Sequence, residues 1–214
     1  TAGQVYLFFG RSAGFPKETN VSSANASFKG LAADDRAGIS VAGVGDVNGD
    51  DYDDFVIGAD EYEALGTSGR GRAFLILGKS SGWSMDTSLT NADASWYGEV
   101  NEDMFGRAVG GGGDINGDGY DDIIIGAYDN EEGGDIQGQT YLIFGRSSGW
   151  STNQNIGTSA NASFIGKQNK EQSGYSVDIV GDTNGDGYDD FVIGARYFAD
   201  TPSSSRKGHA YLFL

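Results

Sequence analysis

Three aspartate-rich loops have the composition of a cation-binding site. They span residues 46–54, 114–122 and 182–190, so each copy begins 68 residues after the one before it. Every loop holds four or five aspartates within nine residues, and so many carboxylates repel one another unless a cation neutralises them. Turns rich in Asp, Asn and Gly also exist without metal, but the threefold repetition favours three metal sites.

Calcium is the ion that suits these side chains. It takes six to eight oxygen ligands at about 2.3–2.6 Å, and a short loop supplies them by turning alternate side chains inward and adding one backbone carbonyl. Magnesium demands a tight octahedron, and zinc prefers cysteine and histidine, whereas the chain has no cysteine and one histidine. The predicted ligands are Asp46, Asn48, Asp50, the Tyr52 carbonyl and Asp54 in the first loop; Asp114, Asn116, Asp118, the Tyr120 carbonyl and Asp122 in the second; and Asp182, Asn184, Asp186, the Tyr188 carbonyl and Asp190 in the third.

The other loop positions predict a tight turn around the ion. The fourth position is always glycine, which permits that turn: Gly49, Gly117 and Gly185. At the sixth position we expect a positive φ for Gly119 and Gly187. Asp51 stands there in the first copy, and because aspartate visits the left-handed region more readily than most residues, we expect the first site to be slightly strained or weaker. The eighth position lies outside the ligand alternation and is expected to cap or hydrogen-bond the loop: Asp53, Asp121 and Asp189.

The predicted metal has a structural role. Binding energy at such a site becomes folding energy when the unfolded chain cannot form it, so calcium would pin the hairpin between the two inner strands. A catalytic metal is not expected, because the loop's own oxygens fill the coordination sphere. The sequence offers no nucleophile–base pair either, and His209 beside a strand start is incidental. The chain is therefore not expected to be an enzyme.

The elements around the loops are predicted to be strands. Each copy contains four short segments rich in β-branched and aromatic residues, bounded by Gly, Ser, Asn and Asp. Some, such as 141–144, are apolar on both faces, which requires sheets covered on two sides. Four-stranded antiparallel sheets that repeat radially and stack face to face are the blades of a β-propeller. The predicted fold class is therefore all-β, with three repeats of propeller-blade type.

The repeat resembles the FG-GAP repeat, the blade unit of integrin α-chain propellers and of many bacterial surface or secreted proteins. Phe105-Gly106 keeps the Phe-Gly opening, while Gly38 and Gly174 keep the glycine alone. The closing Gly-Ala occurs at 58–59, 126–127 and 194–195, with proline replaced by Asp60, Tyr128 and Arg196. The resemblance implies calcium at the ligand positions named above and an extracellular or cell-surface location.

The resemblance also sets the phase of the strands. In the family the loop joins the innermost strand to the second, so the chain would contain thirteen strands in a single array over 1–214. The expected units are about 11–78, 79–145 and 146–214, with 1–10 a strand of a preceding unit. Since propellers need about four to eight blades to close, we expect either a segment of a longer array or a protomer that self-associates to complete its blades.

The face opposite the calcium loops is the expected ligand-binding surface. Its connections agree least between copies, and freedom from structural demands is typical of binding loops; they are 60–70, 128–137 and 196–207, together with 31–37, 99–104 and 167–173. Integrin-like propellers also bind ligand on that side, which implies a protein or carbohydrate ligand here. Trp83 and Trp150, at the position of Phe15, suggest packing or, alternatively, carbohydrate stacking, and Trp96 is expected in the core between blades.

Composition excludes several partners. A net charge of −17 would repel nucleic acid and anionic membranes, and the longest apolar runs are too short for membrane insertion. The favoured hypothesis is a calcium-stabilised extracellular propeller segment acting in binding, adhesion or assembly. Two alternatives stay open: an accessory propeller of a secreted enzyme, such as one that degrades polysaccharides, and a lectin-like carbohydrate-binding module.

Overall fold

The computed structural model describes residues 2–61, 69–131, 135–198 and 207–214. These residues form strands and loops, with one single-turn α-helix, Ile156–Ser159, and two 3₁₀ turns, Val21–Ser23 and Leu89–Asn91. A helix with the length and apolar character needed to cross a bilayer is absent from the described residues. The all-β prediction is confirmed.

The strands follow one another along the chain in a repeating order. They are β1 (Gln4–Leu7), β2 (Ala26–Lys29), β3 (Ser40–Gly45), β4 (Asp54–Ala59), β5 (Arg72–Ile76), β6 (Thr87–Ser88), β7 (Ala94–Tyr97), β8 (Phe105–Gly111), β9 (Ile123–Ala127), β10 (Gln139–Ile143), β11 (Gln154–Asn155), β12 (Ala162–Ile165), β13 (Ser173–Gly181), β14 (Asp190–Ala195) and β15 (His209–Phe213).

Four sheets result, with the strand orders β1-β2-β6, β11-β7-β5-β4-β3, β12-β10-β9-β8 and β13-β14-β15. The main strands pair antiparallel within each sheet, and consecutive sheets carry equivalent strands in the same order, which is the arrangement of a partial β-propeller. The thirteen strands expected from the sequence are present. The structure has two further strands, β6 and β11, which pair parallel to β2 and β7. These two-residue strands consist of polar residues without an apolar pattern, so the sequence gives no signal for them.

Apolar side chains fill the space between consecutive sheets. Strand β4 shows how one strand serves two cores, because Ile57 packs toward the first sheet and Val56 toward the third. Trp96 is fully buried in the cluster between the second and third sheets, as expected from its position in the repeat. Burial of alternate residues on opposite sides explains why these strands are apolar on both faces.

The glycine of the closing Gly-Ala pair brings neighbouring sheets into close contact. A Cβ atom on Gly58 would lie 2.0 Å from the carbonyl oxygen of Gly106 in the next sheet, and one on Gly126 would lie 2.0 Å from that of Gly174. In the first of these contacts the Ser40 hydroxyl donates a hydrogen bond of 2.7 Å to the same Gly106 carbonyl. Only glycine fits a backbone approached this closely, so these residues set the spacing between sheets.

Equivalent leucines in two sheets test the packing between blades. Leu75 is fully buried between the second and third sheets, whereas Leu212, at the same position of the repeat in the fourth sheet, is 53% exposed. We expect Leu75→Ala to lower the free energy of unfolding by about 2–5 kcal/mol through the cavity it leaves. Leu212→Ala should cost less than about 1 kcal/mol. Urea denaturation in excess calcium measures both, and equal losses would contradict the proposed packing.

Candidate functional site

Each of the three aspartate-rich loops joins the innermost strand of a sheet to the second strand of the same sheet. They join β3 to β4, β8 to β9 and β13 to β14. Because these hairpins leave the same end of consecutive sheets, the loops lie side by side on one face, here called the loop face. The connections that follow β1, β5 and β10 share this face. Phe9, after β1, lines one hollow with Tyr52 and Asp53 of the first loop. The N–H of Gly78, after β5, donates to Asp54 at 2.6 Å, and the N–H of Arg146, after β10, donates to the Val47 carbonyl at 2.8 Å.

The first aspartate of each loop is held by backbone N–H groups. The carboxylate of Asp46 accepts three hydrogen bonds of 2.7–3.0 Å, from Gly49, Asp50 and Asp51. Asp114 and Asp182 accept the equivalent bonds in their own loops. Burial alone would raise the pKa of Asp46, but the N–H donors outweigh it and lower that pKa. This carboxylate is therefore ionised and fixed in direction, as a metal ligand at the start of a loop must be.

The last aspartate of each loop is buried. Asp54 accepts hydrogen bonds from the N–H of Val47 at 3.0 Å and of Gly78 at 2.6 Å. Burial, supported by the nearby charges of Asp50 and Asp46, raises the pKa of Asp54 to about 6. Asp122 has equivalent partners, and burial raises its pKa to about 6 as well. Asp190 is equally buried and accepts from the N–H of Thr183 at 2.8 Å.

The middle of each loop brings an amide and a carboxylate together. The Asn48 side chain donates to the Asp50 carboxylate at 3.1 Å, and the N–H of Tyr52 donates to the same carboxylate at 3.0 Å. In the second loop the Asn116 Oδ1 atom accepts from the N–H of Asp118 at 2.8 Å. The corresponding Asn48 Oδ1 atom is buried and meets no hydrogen-bond donor among the described residues, so it is an acceptor without a partner inside the loop.

The backbone of the loops follows the predicted turn. The fourth-position glycines have φ of 74–79° and the sixth-position glycines, Gly119 and Gly187, have φ of 90° and 95°. Asp51 takes a φ of 69° at the sixth position of the first loop. The tight turn at the fourth position and the positive φ at the sixth position are thus confirmed, and the aspartate in the first loop adopts the left-handed conformation.

The predicted ligands fit a hard cation in chemical type. Each loop brings its carboxylate, amide and carbonyl oxygens into one turn, and oxygen is the donor that calcium prefers. Within the described part of the chain, no three acidic or histidine side chains converge in a metal-holding cluster, because the aspartates are turned to backbone N–H groups. The unpartnered Asn48 oxygen and the raised pKa of Asp54 are two features that a cation in the first loop would relieve.

Arginine and tyrosine side chains gather on the opposite face. The Arg196 guanidinium lies 4.1 Å from the ring centroid of Tyr175 and 4.5 Å from that of Tyr197. The ring of Tyr128 meets that of Tyr175 edge-on at 5.1 Å, and Arg107 donates to the Tyr175 hydroxyl at 3.2 Å. We call these five residues the Arg–Tyr cluster. The sequence showed Tyr128 and Arg196 as departures from a proline, but not that they meet.

The expected ligand-binding connections are only partly described. Residues 62–68, 132–134 and 199–206 of those stretches lie outside the described residues. The flanking residues do meet as expected on one face: the N–H of Met104 donates to the Gly69 carbonyl at 3.1 Å, and the N–H of Lys170 to the Asp135 carbonyl at 2.8 Å.

Trp83 and Trp150 have packing contacts. The indole N–H of each donates to a backbone carbonyl four residues earlier, at 2.9 Å to Lys79 and 3.0 Å to Arg146. The side-chain cations of the same two residues lie 4.9 Å and 4.5 Å from the ring centroids. Each ring also packs against a buried core cluster, Trp83 between the first and second sheets and Trp150 between the second and third, so the geometry favours the packing role over carbohydrate stacking.

A buried carboxylate accepts hydrogen bonds from the connections on the face that carries the Arg–Tyr cluster. Asp103 accepts from the N–H of Val100 at 2.8 Å and from the side chain of Asn130 at 3.2 Å. Burial raises the pKa of Asp103 to about 6. Asn130 in turn donates to the hydroxyl of the core residue Tyr141 at 3.3 Å, which ties this connection to the interior.

Comparison with known proteins agrees with the geometry. The model of the FG-GAP repeat matches residues 37–76, 105–143 and 173–213, together more than half of the chain. Integrin alpha-V of Gallus gallus is 30% identical over 163 residues, covering 74% of this chain and 14% of the relative. Integrin alpha pat-2 of Caenorhabditis elegans is 31% identical over 170 residues, covering 74% and 13%. Integrin alpha-PS2 of Drosophila melanogaster is 30% identical over 131 residues, covering 61% and 9%. The chain thus spans a small part of each relative's length.

Replacement of Asp103 tests the pH dependence of stability. Its folded-state pKa of about 6 lies above its ordinary value of 3.8, so the folded protein binds the proton more tightly than the unfolded chain. The resulting stabilisation is present below about pH 4 and is lost as the pH rises to about 6. We therefore expect the free energy of unfolding to fall less between pH 4 and 6 in Asp103→Asn than in the unaltered protein. Urea titrations across this range provide the measurement.

The control for this measurement is Asp86→Asn. Asp86 is exposed, and its hydrogen bond with Lys29 lowers its pKa from the ordinary value of 3.8, so its titration lies below the measured range. This substitution should leave the pH slope unchanged. A slope that is the same in all three proteins would contradict the assignment to Asp103.

Proposed function

Because the chain belongs to the FG-GAP repeat family, we propose that it is a calcium-stabilised propeller segment that acts outside the cell or at its surface as a binding, adhesion or assembly module. The observation that carries the proposal is one loop scaffold repeated three times with oxygen donors at every predicted ligand position. Each copy pairs a carboxylate fixed by backbone N–H groups with a second carboxylate buried a few residues later.

Each loop would hold one calcium ion through the five groups named from the sequence. In the first loop these are Asp46, Asn48, Asp50, the Tyr52 carbonyl and Asp54, and the equivalent residues serve in the other two. The ion supplies positive charge that offsets the repulsion between the carboxylates of its loop. It also gives a partner to the buried Asn48 oxygen, for which the described part of the chain supplies no hydrogen-bond donor. The ion thereby holds the end of the innermost strand close to the start of the second strand of the same sheet.

The contribution of calcium to the free energy of folding is large compared with the stability of a typical domain. A ligand that binds only the folded chain stabilises it by about 2.7 kcal/mol when its concentration is 100 times its Kd. Domains are stable by only about 5–15 kcal/mol in total, so three occupied loops would supply a large share of the folding free energy. Calcium is therefore proposed to be a condition for the fold under extracellular conditions, rather than an accessory to it.

The Arg–Tyr cluster is proposed to contact a protein ligand. Arginine and tyrosine are the residues most often found at the energetic centres of protein interfaces, since they combine a large apolar area with polar groups. The cluster includes Arg196 and Tyr197, both exposed, on the face opposite the calcium loops. Its contacts are rings and guanidinium groups, which suit binding rather than catalysis, so we propose that the chain is not an enzyme.

Removal of calcium tests the structural role of the loops. We expect the thermal midpoint to be much lower in a chelator than in excess calcium, because each bound ion contributes to folding. Isothermal calorimetry should count three ions, and each of Asp46→Ala, Asp114→Ala and Asp182→Ala should reduce the count by one. Asp178→Ala, an exposed aspartate of β13 outside the loops, is the control and should leave the count unchanged. Equal midpoints with and without calcium would contradict this part of the proposal.

Two arginines on opposite faces test the ligand surface. Arg196 stacks on Tyr175 at 4.1 Å, and Arg11 stacks on Phe15 at 4.4 Å on the loop face. Beads coated with the chain would be tested in calcium for adhesion to a panel of immobilised extracellular proteins and glycans. We expect adhesion to protein surfaces that Arg196→Glu reduces at least fivefold and Arg11→Glu leaves intact. Equal losses in both variants, or adhesion to glycans alone, would contradict a protein-binding surface at the cluster.

A further inference from the structure

Neighbouring loops are joined by reciprocal hydrogen bonds. The carboxylate of Asp121, in the second loop, accepts from the backbone N–H of Asp46 at 2.8 Å, and the N–H of Asp121 donates to the Asp46 carbonyl at 3.3 Å. Asp189 makes the same pair of bonds to Asp114, at 2.9 Å and 3.1 Å. The eighth residue of each later loop therefore forms two hydrogen bonds with the backbone of the first residue of the loop before it. The sequence predicted that these aspartates bond a loop, but not that the loop belongs to the neighbouring sheet.

Glycines in the preceding loop and just before it leave room for these contacts. A Cβ atom on Gly45 would lie 2.0 Å from Asp121 Oδ2, and one on Gly113 would lie 2.6 Å from Asp189 Oδ2. The tyrosine next to each aspartate makes a second contact of this kind: a Cβ atom on Gly49 would lie 2.7 Å from Cε1 of Tyr120. Each pair of loops thus meets through a carboxylate and an aromatic ring that both require glycine opposite them.

The residues at this contact are adjacent to ligands on both sides. Asp121 lies between the Tyr120 carbonyl and Asp122, two predicted ligands of the second loop, and its bond partner Asp46 is the first ligand of the first loop. Asp121 also lies close enough to the carboxylates of Asp46, Asp114 and Asp189 for their negative charges to repel its own. An ion in either loop would order one side of the contact and reduce the repulsion across it.

We infer that Asp121 and Asp189 couple the three loops, so that an ion bound in one loop raises the affinity of its neighbour. This inference rests on the calcium sites proposed above and adds the way in which they regulate one another. Both aspartates are positioning residues: they act through the backbone of Asp46 and Asp114 rather than by touching the ion. The coupling is a free energy shared by two sites, so it operates equally in both directions.

The test uses a chain in which only two neighbouring loops bind. Asp186→Ala silences the third loop, and calorimetric titration with calcium then follows the first two. We expect each of the two loops to bind its ion about tenfold more tightly when the other loop is occupied than when the other is silenced by Asp50→Ala or Asp118→Ala, within the usual range of coupling between sites. Adding Asp121→Ala should bring this ratio of affinities to one, whatever the intrinsic affinity of each loop. A change in overall stability alone would shift both affinities and leave their ratio unaltered, so the ratio separates coupling from a structural role.

Asp53→Ala is the matched control in the same background. Asp53 occupies the eighth position of the first loop and has no preceding loop among the described residues. It should leave the tenfold ratio intact. Circular dichroism in saturating calcium checks that each variant folds. If Asp121→Ala does not fold, Asp189→Ala in an Asp50→Ala background tests the second and third loops in the same way.

The outcomes distinguish this inference from the function on which it rests. Three ions that bind independently to the unaltered chain would overturn the coupling and leave the calcium sites standing. Equal effects of Asp53→Ala and Asp121→Ala would also overturn it. The absence of any calcium binding would overturn both proposals together.

Discussion

The close contact between backbones of neighbouring sheets is the constraint on which the rest of the structure depends. Gly58 and Gly126 each meet a carbonyl of the next sheet at a distance that admits no side chain. This contact fixes how far apart the inner strands lie. Because the loops continue directly from those strands, it also brings the loops within hydrogen-bond distance of one another. A larger residue at either glycine would separate the sheets, and the contacts between loops would be lost with the core between blades.

The same spacing places different kinds of side chain on the two faces of the structure. Strands that run in register carry every loop to one end, so a chain with a net charge of −17 concentrates carboxylates there. At the other end the equivalent positions vary between copies, and the variation places an ion pair of 3.7 Å between Asp60 and Arg107 next to the ring contact of Tyr128 with Tyr175. The repeated face meets the structural demand of the sheets, whereas the variable face is free to differ.

The sequence predicted what depends on neighbours along the chain. The loop positions, the positive φ of Asp51 and the burial of Trp96 all follow from local pattern and repeat alignment. Features that depend on the next sheet could not be predicted in this way. The partner of Asp121 and the Arg–Tyr cluster arise only when two sheets face each other. Strands β6 and β11 were missed for a related reason, because each is defined by the outer strand of the sheet before it.

The central claim is that each loop between the innermost strand of a sheet and the second strand of the same sheet is a calcium site that stabilises the fold. Anomalous X-ray diffraction from crystals grown in excess calcium tests it most directly, because calcium has an anomalous signal that protein oxygen atoms and water lack, so a peak identifies the ion. The account predicts one anomalous peak in each of the three loops, about 2.3–2.6 Å from its carboxylate, amide and carbonyl oxygens, with Asn48 Oδ1 among the ligands of the first. Loops that keep the same backbone and show no peak at saturating calcium would contradict it.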